Sequence, residues 1–456
     1  MKIHEYLDLA IKELITPSAI TFNFATSKNG CQYNTTNLFE QHIKSICNAL
    51  MENDNNLKNM LRINQLCLYV KQIVIDCVGE NIFKCDESKD SNVRAKLKIL
   101  KEKLNDILNK KIITTDLTMY YTSDAIPLPD DFKIGPVKFI NPLVWVDTIR
   151  PREDFNILGE EISFNWRENF KKNYLHRRKF DFHKVDEFDQ TSETLREFLG
   201  RDNIVLKITL SNFEPNRAWE HGRMICKTAL DGLSFIVNDS RLFFRQVLQG
   251  SSKPLYATYQ LFEFDSYLIS PGMTLPEIIS PYSSEISFKI LKERSELVQC
   301  VSKIVSGIST SESSMQPYLS MRCSTALEWF SESIREKNDY IAISKLCISL
   351  DVLCDGGKSD GISKLCSLLL DISENDNIPF FKETNIKTFV RDSYEKGRSH
   401  IIHGNRVDRS EDYKDERAKI QKFCHMILSA YFKKFSQYNG DDDYHTFYNY
   451  IKDKKN

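Results

Sequence analysis

Between Tyr394 and Asn405 the chain gathers Arg398, His400, His403 and the helix-stopping Gly404 within a dozen residues. Histidine, with an unperturbed pKa near 6.5, can take or give a proton at neutral pH. Arginine stays charged, and its planar fork suits a phosphate. Together they fit phosphodiester chemistry that needs no metal. In RNA the neighbouring 2′-hydroxyl is a built-in nucleophile, so a protein need only move protons and hold the charge developing on phosphorus. DNA lacks that hydroxyl and is expected to resist.

Positioning sets a condition. On one α-helix, residues five apart point about 140° away from each other, so a straight helix does not bring Arg398 and His403 together. Either the helix loosens at Gly404, a natural left-handed stop, or a second copy completes the pair across a two-fold interface. The second arrangement makes the site a property of a dimer. The same spacing recurs at Arg178 and His183, but there Phe180 and Phe182 alternate with Lys179 and Asp181. That alternation reads as a strand and the match as coincidence.

From about Met321 to Tyr438, roughly a quarter of the chain, the sequence resembles the HEPN superfamily, in particular its Apea-like branch. Arg398, Ser399, Ile401, Ile402, His403 and Gly404 match that family's string, with His400 as an extra polar residue inside it. The segment Ile348 to Leu353 is similar to the family's second helix, with Asp351 where a Glu is more usual. The resemblance implies a metal-independent endoribonuclease in an all-α, dimeric bundle, of the kind found in toxins and antiviral abortive-infection proteins. Under it, His403 moves protons, Arg398 grips the scissile phosphate, and Ser399 hydrogen-bonds the phosphate or His403 of the partner subunit. On the substrate side, Asn405 and Arg406 would offer a backbone amide and a cation, although a turn residue and a solvated charge explain them equally well. His400 points elsewhere on a helix and reads more simply as a surface histidine. Some HEPN proteins keep the fold without cutting RNA. The alternative is therefore a non-catalytic RNA-binding, nucleotide-binding or scaffolding protein of a defence complex, with Arg398 a structural ion-pair partner and His403 a cap. Toxins governed by a nucleotidyltransferase commonly carry a tyrosine two positions after the histidine. Asn405 stands there, which argues against that type of partner.

At 456 residues the chain is long enough for two or three domains with sizeable cores. Lys and Arg number 62 against 63 Asp and Glu, for a net charge of −1, so RNA contact has to come from a local patch rather than a global field. The 12 cysteines form no C-x-x-C pair and no compact group with histidine, which argues against structural zinc. They read as reduced thiols used as small apolar residues, and no metal or other cofactor is expected. No run of eighteen apolar residues and no signal-peptide core occurs, giving the expectation of a cytoplasmic protein without membrane contact. The partners expected are RNA, transfer RNA among the candidates, a second copy through the bundle, and a phage-derived or antitoxin regulator.

The chain divides by pattern into a helical N-terminal region (1–112), an α+β middle domain (113–310) suited to sensing or regulation, a helical bundle (320–438) and a C-terminal tail (439–456) that reads as frayed. Ile3, Tyr6, Leu7, Ala10 and Leu14 recur at helical spacing, as do Phe39, Ile43, Ile46 and Leu50 after Thr36, a predicted N-cap. The middle domain has predicted strands over Val137 to Val146, Val205 to Leu210 and Ile286 to Leu291, and a helix from Arg217 to Ile236 with Trp219 on its apolar side. Five helices are predicted in the bundle, the fourth capped by Thr384 and carrying the Arg398 to His403 motif. One further patch interleaves Arg167, Lys171, Lys172, Arg177, Arg178 and Lys179 with Trp166, Phe170, Tyr174 and Phe180. Phosphates could meet the charges while bases stack on the rings; the preferred reading is a solvated element whose aromatics face a core. Because a free ribonuclease poisons its host, roughly the first 310 residues are expected to restrain the bundle, sense a trigger or select the RNA.

Overall fold

The computed structural model describes residues 2–19, 21, 23–83, 90–111, 116–149, 166–178, 190–200, 202–250, 258–264, 267–274, 282–310, 315–379, 381, 384–399 and 413–453. These residues are mostly helical, with a small antiparallel sheet in the middle of the chain. In order they form α1 (Ile3–Ile15), β1 (Phe24–Thr26), β2 (Gln32–Asn34), α2 (Asn37–Asn53), α3 (Asn55–Met60), α4 (Ile63–Gly79) and α5 (Asp90–Lys111). Then come β3 (Leu117–Ser123), β4 (Lys133–Ile134), β5 (Val137–Ile140), α6 (Pro142–Thr148), α7 (Trp166–Arg178), α8 (Gln190–Leu199), β6 (Ile204–Leu210), α9 (Pro215–Val237), α10 (Ser240–Arg245) and the antiparallel pair β7 (Thr258–Phe264) and β8 (Tyr267–Thr274). The last part holds α11 (Ser284–Glu293), α12 (Ser295–Ile308), α13 (Pro317–Arg335), α14 (Asp339–Leu353), α15 (Lys358–Leu370), α16 (Ile386–Asp392), a π-helical segment (Ser393–Ser399), α17 (Lys414–Ser436) and α18 (Tyr444–Asp453). Two compact units result: Met1–Thr118 with Thr209–Gly222, and Met119–Ile208 with Arg223–Asn456.

In the first unit, the stripes read from the sequence become the core: Leu7, Ala10, Ile11 and Leu14 of α1 meet Phe39, Ile43 and Ile46 of α2 and Leu66, Val70 and Val74 of α4. Thr36 is the expected cap. Its hydroxyl accepts from Phe39 N at 3.1 Å and donates to the buried Glu13 at 2.6 Å. Burial alone would raise the Glu13 pKa, but hydrogen bonds from Thr36 and from the Ser18 hydroxyl and amide outweigh it and leave it lowered.

In the second unit the sheet order is β3-β6-β5-β4, with β5 antiparallel to both β4 and β6. The predicted strand over Val205 to Leu210 is β6. The one over Val137 to Val146 stops at Ile140, because the Asn141 side chain accepts from Leu143 N at 2.9 Å and Pro142 opens α6. The segment Ile286 to Leu291, expected as a strand, is helical. Its alternating Ile286 and Phe288 are exposed, and the buried residues Ser287 and Leu291 lie four apart, with Ser283 as N-cap. Trp219 is also exposed rather than on the apolar side of α9.

The bundle helices close on an aromatic core in which Phe235 meets Phe330, Phe432 and His425, and Phe330 also meets His425. α14 lies against α13, α17 and the π-helical segment. Asn385, not Thr384, caps α16, accepting from Thr388 N at 2.8 Å. The tail read as frayed is folded: Phe447 and Ile451 of α18 are buried, Phe447 meeting Tyr431 and Phe435 edge-on. The Asp442 carboxylate accepts from Tyr318 N and Leu319 N at 2.8 and 2.9 Å, capping α13.

Two outcomes follow for stability. Thr36→Ala removes a cap and a hydrogen bond to a buried carboxylate, so urea unfolding should report a loss of about 1 to 3 kcal/mol, with Thr36→Ser retaining most of it. His425 Nε2 donates to Phe235 O at 3.1 Å, and burial lowers its pKa against the partial compensation of that bond. Because the folded value lies below the unfolded one of about 6.5, the unfolded chain binds the proton first as pH falls through that range. The urea midpoint should therefore drop between pH 7.5 and 5.5, and drop less in His425→Gln.

Candidate functional site

Two of the motif's residues, Arg398 and Ser399, belong to the described chain; His400, His403, Asn405 and Arg406 lie outside the described residues. Arg398 and Ser399 end the π-helical segment, whose widened turn breaks the 100° rotation of an α-helix. The motif was expected on an α-helix. Gly397, a poor helix former, sits inside the segment.

Arg398 is oriented by side chains from two elements. Its Nη1 lies 3.0 Å from Asp351 Oδ2 on α14 and also donates to the Tyr394 hydroxyl four residues back. The guanidinium rests over the Tyr394 ring, 5.0 Å from its centroid. The Arg398 side chain is 27% exposed and that of Asp351 12%, so the cation reaches the surface while its anion is largely enclosed. Arg398 Nε and Asp351 Oδ1 are buried without a hydrogen-bond partner among the described residues. Burial pushes the Tyr394 phenol up, the Asp351 charge adds to that, and Arg398 pulls the other way. Tyr394 therefore remains a neutral hydroxyl at neutral pH.

Behind this pair the bundle fixes α14. Ser349 donates to Ala326 O of α13 at 2.6 Å, and Cys347 donates to Ser393 O, where the π-helical segment begins. Burial pushes the Cys347 thiol up to about 12, which makes it a neutral packing residue rather than a nucleophile. A small apolar hollow next to Tyr394, lined by Cys347, Leu350, Val390 and Phe423 among others, has no charged side chain on its wall.

The second basic patch does not assemble as a nucleic-acid surface where it is described. Trp166, Phe170 and Tyr174 are buried with Trp145 and Leu199. Arg167 donates to Val146 O and Ile149 O, and Lys171 pairs with Asp147 at 2.8 Å. These rings are not free for bases, as the preferred reading of the sequence held. Arg177 and Arg178 end α7, their side chains outside the described residues. Lys179, Phe180 and His183 lie outside the described residues altogether. Among the described residues no group of three or more His, Cys, Asp or Glu is placed to hold a metal ion.

Sequence reasoning singled out Asp351 only as an unusual acid in a helix and passed over Tyr394 as a partner. Both left a signal. Tyr394 stands four residues before Arg398, the spacing of helical neighbours, and an acid among Ile348, Leu350, Val352 and Leu353 needs a cation to be buried.

A double-mutant cycle of Asp351→Ala and Arg398→Ala, read by urea unfolding, should return a coupling of about 1 to 3 kcal/mol. Tyr394→Phe, which keeps the ring beneath the guanidinium, should cost about 0.5 to 1.5 kcal/mol. Compared with models of protein families, with curated proteins and with solved structures, the chain matches none.

Proposed function

We propose that this chain is a HEPN-type endoribonuclease that needs no metal, with its site at Arg398 and His403. The observation that carries the reading is how Arg398 is held. Neighbouring arginines divide their forks between backbone carbonyls and carboxylates: Arg322 donates to Val352 O and Asp355, Arg335 to Phe243 O and Asp231, and Arg417 to Ser333 O and Asp339, while Arg294 donates to Ile236 O. Among the described residues Arg398 meets only side chains, as Arg245 and Arg391 do, and it is held by two of them, Asp351 and Tyr394, both through Nη1. It is aimed and charge-balanced without closing a helix end, which is what a residue gripping an incoming phosphate requires.

In this mechanism Asp351 and Tyr394 fix the guanidinium, which takes the non-bridging oxygens of the scissile phosphate. His403 removes the proton of the 2′-hydroxyl or protonates the leaving 5′-oxygen, steps worth about 10²- to 10⁴-fold in rate. The attack leaves a 2′,3′-cyclic phosphate and a 5′-hydroxyl. Ser399, next in the chain, supplies a further hydrogen bond to the phosphate or to His403 of the partner subunit. A bundle dimer would bring the two copies of the motif together, and the N-terminal half would restrain the enzyme or select its RNA. The same Asp351 pair also suits a purely structural arginine, so a non-catalytic RNA-binding or scaffolding role is the competing reading.

Induced expression separates the two. The wild-type chain should arrest growth and leave discrete RNA fragments with cyclic phosphate ends, and both Arg398→Ala and His403→Ala should abolish arrest and cleavage. If all three chains behave alike when the full protein is expressed and folded, the motif is structural and the binding or scaffolding role takes its place.

A further inference from the structure

Of the two side chains that hold Arg398 among the described residues, one has a proton to give. Asp351 faces the guanidinium as its anion. Tyr394 accepts from Nη1 through its phenol oxygen, and its ring lies beneath the cation, 5.0 Å from centroid to guanidinium carbon. An oxygen that accepts from arginine turns its own hydrogen away from the cation, and among the described residues no acceptor takes that hydrogen. Tyr394 is half-buried and the Arg398 side chain 27% exposed, so both groups reach the surface. A phosphate held by this guanidinium has the phenol beside it, because both partners share the terminal nitrogens of one planar fork.

We propose that Tyr394 is the general acid of the cleavage, giving its phenol proton to the departing 5′-oxygen while His403 serves as the base. This role rests on the nuclease reading above and fixes which way the His403 proton moves. The 2′-oxygen forms its bond to phosphorus as its proton passes to His403. The bond between phosphorus and the 5′-oxygen breaks, and the electron pair it leaves on that oxygen takes the phenol proton. The products are a 2′,3′-cyclic phosphate and a 5′-hydroxyl, with one proton gained at His403 and one lost at Tyr394. Exchange with solvent returns both groups to their starting states.

The surroundings of Tyr394 suit an acid. Burial and then the Asp351 charge hold the phenol neutral before reaction, so its proton is present at neutral pH. Arg398, bonded to the same oxygen, stabilises the phenolate as it forms. The neighbouring Cys347 thiol, pushed up to about 12 by burial, already donates to Ser393 O and offers no competing proton.

The test uses the full chain and an RNA whose scissile bond carries sulfur in place of the 5′-oxygen, beside the same RNA with oxygen. A thiol is far more acidic than an alcohol, so a thiolate departs without a proton. On ordinary RNA, Tyr394→Phe should cut about 10²- to 10⁴-fold more slowly than the wild type; on the sulfur RNA that deficit should disappear. Tyr394→Gln, which keeps an acceptor for Arg398 but has no acid proton, should behave the same, and either variant decides the matter if the other fails to fold. Asp351→Asn, which loosens Arg398 without removing the acid, should be slow on both RNAs, as should His403→Ala. An equal deficit of the Tyr394 variants on the two RNAs, or full activity of either on ordinary RNA, overturns the role and leaves the nuclease reading standing. Sulfur rescue of His403→Ala in place of Tyr394→Phe makes His403 the acid and overturns it as well. A wild-type chain that cuts neither RNA removes the nuclease reading itself, and this role with it.

Discussion

A guanidinium that is three-quarters enclosed needs an anion, and at Arg398 the bundle supplies one from a helix 47 residues away in sequence. Asp351 can do this only because α14 is fixed on three sides. Ser349 bonds to α13, Cys424 of α17 donates to Leu346 O, and Arg322 closes the helix end at Val352 O. The π-helical segment then sets Tyr394 under the charge and turns Arg398 toward Asp351. The arrangement requires several helices to be in place before the cation is held.

Helix ends organise much of the remaining bundle. Lys303 has no acidic partner among the described residues; it donates to Phe435 O at 3.0 Å over the face of the Phe435 ring, closing α17. Burial lowers its pKa, the expected direction for a cation whose partners are carbonyl dipoles rather than charges. Arg417 ties Asp339 at the start of α14 to the last carbonyls of α13, and Asp442 of the tail caps α13 at its other end. Several charged side chains of this unit are spent on backbone groups that a helix leaves unsatisfied. Arg398, like Arg391, is held by side chains instead.

Where one face of an element is buried, its pattern was legible in the chain. The stripes of α1 and α2, the Thr36 cap, β6 and the helical character of α9 and α13 to α17 could all be read from spacing. The segment Ile286 to Leu291 misled because its larger apolar residues alternate on an exposed surface, so their period reports nothing about burial. The tail misled for the opposite reason: a polar, aromatic segment folds because Phe447 fits between Tyr431 and Phe435, a contact no local pattern announces. At the candidate site, the residue types of the motif were plain. The Asp351 partner is long-range, and the π-helical turn is a tertiary outcome that propensity does not encode.

In the proposed reaction, Arg398 and His403 cut RNA through the ribose 2′-hydroxyl. The most direct measurement takes the purified full-length chain and an RNA that it cleaves, and replaces the ribose on the 5′ side of the cut by its 2′-deoxy form. If the nucleophile is the 2′-hydroxyl, cleavage at that bond stops while other sites are still cut, with or without a chelator. Continued cleavage at the deoxy position would contradict the account.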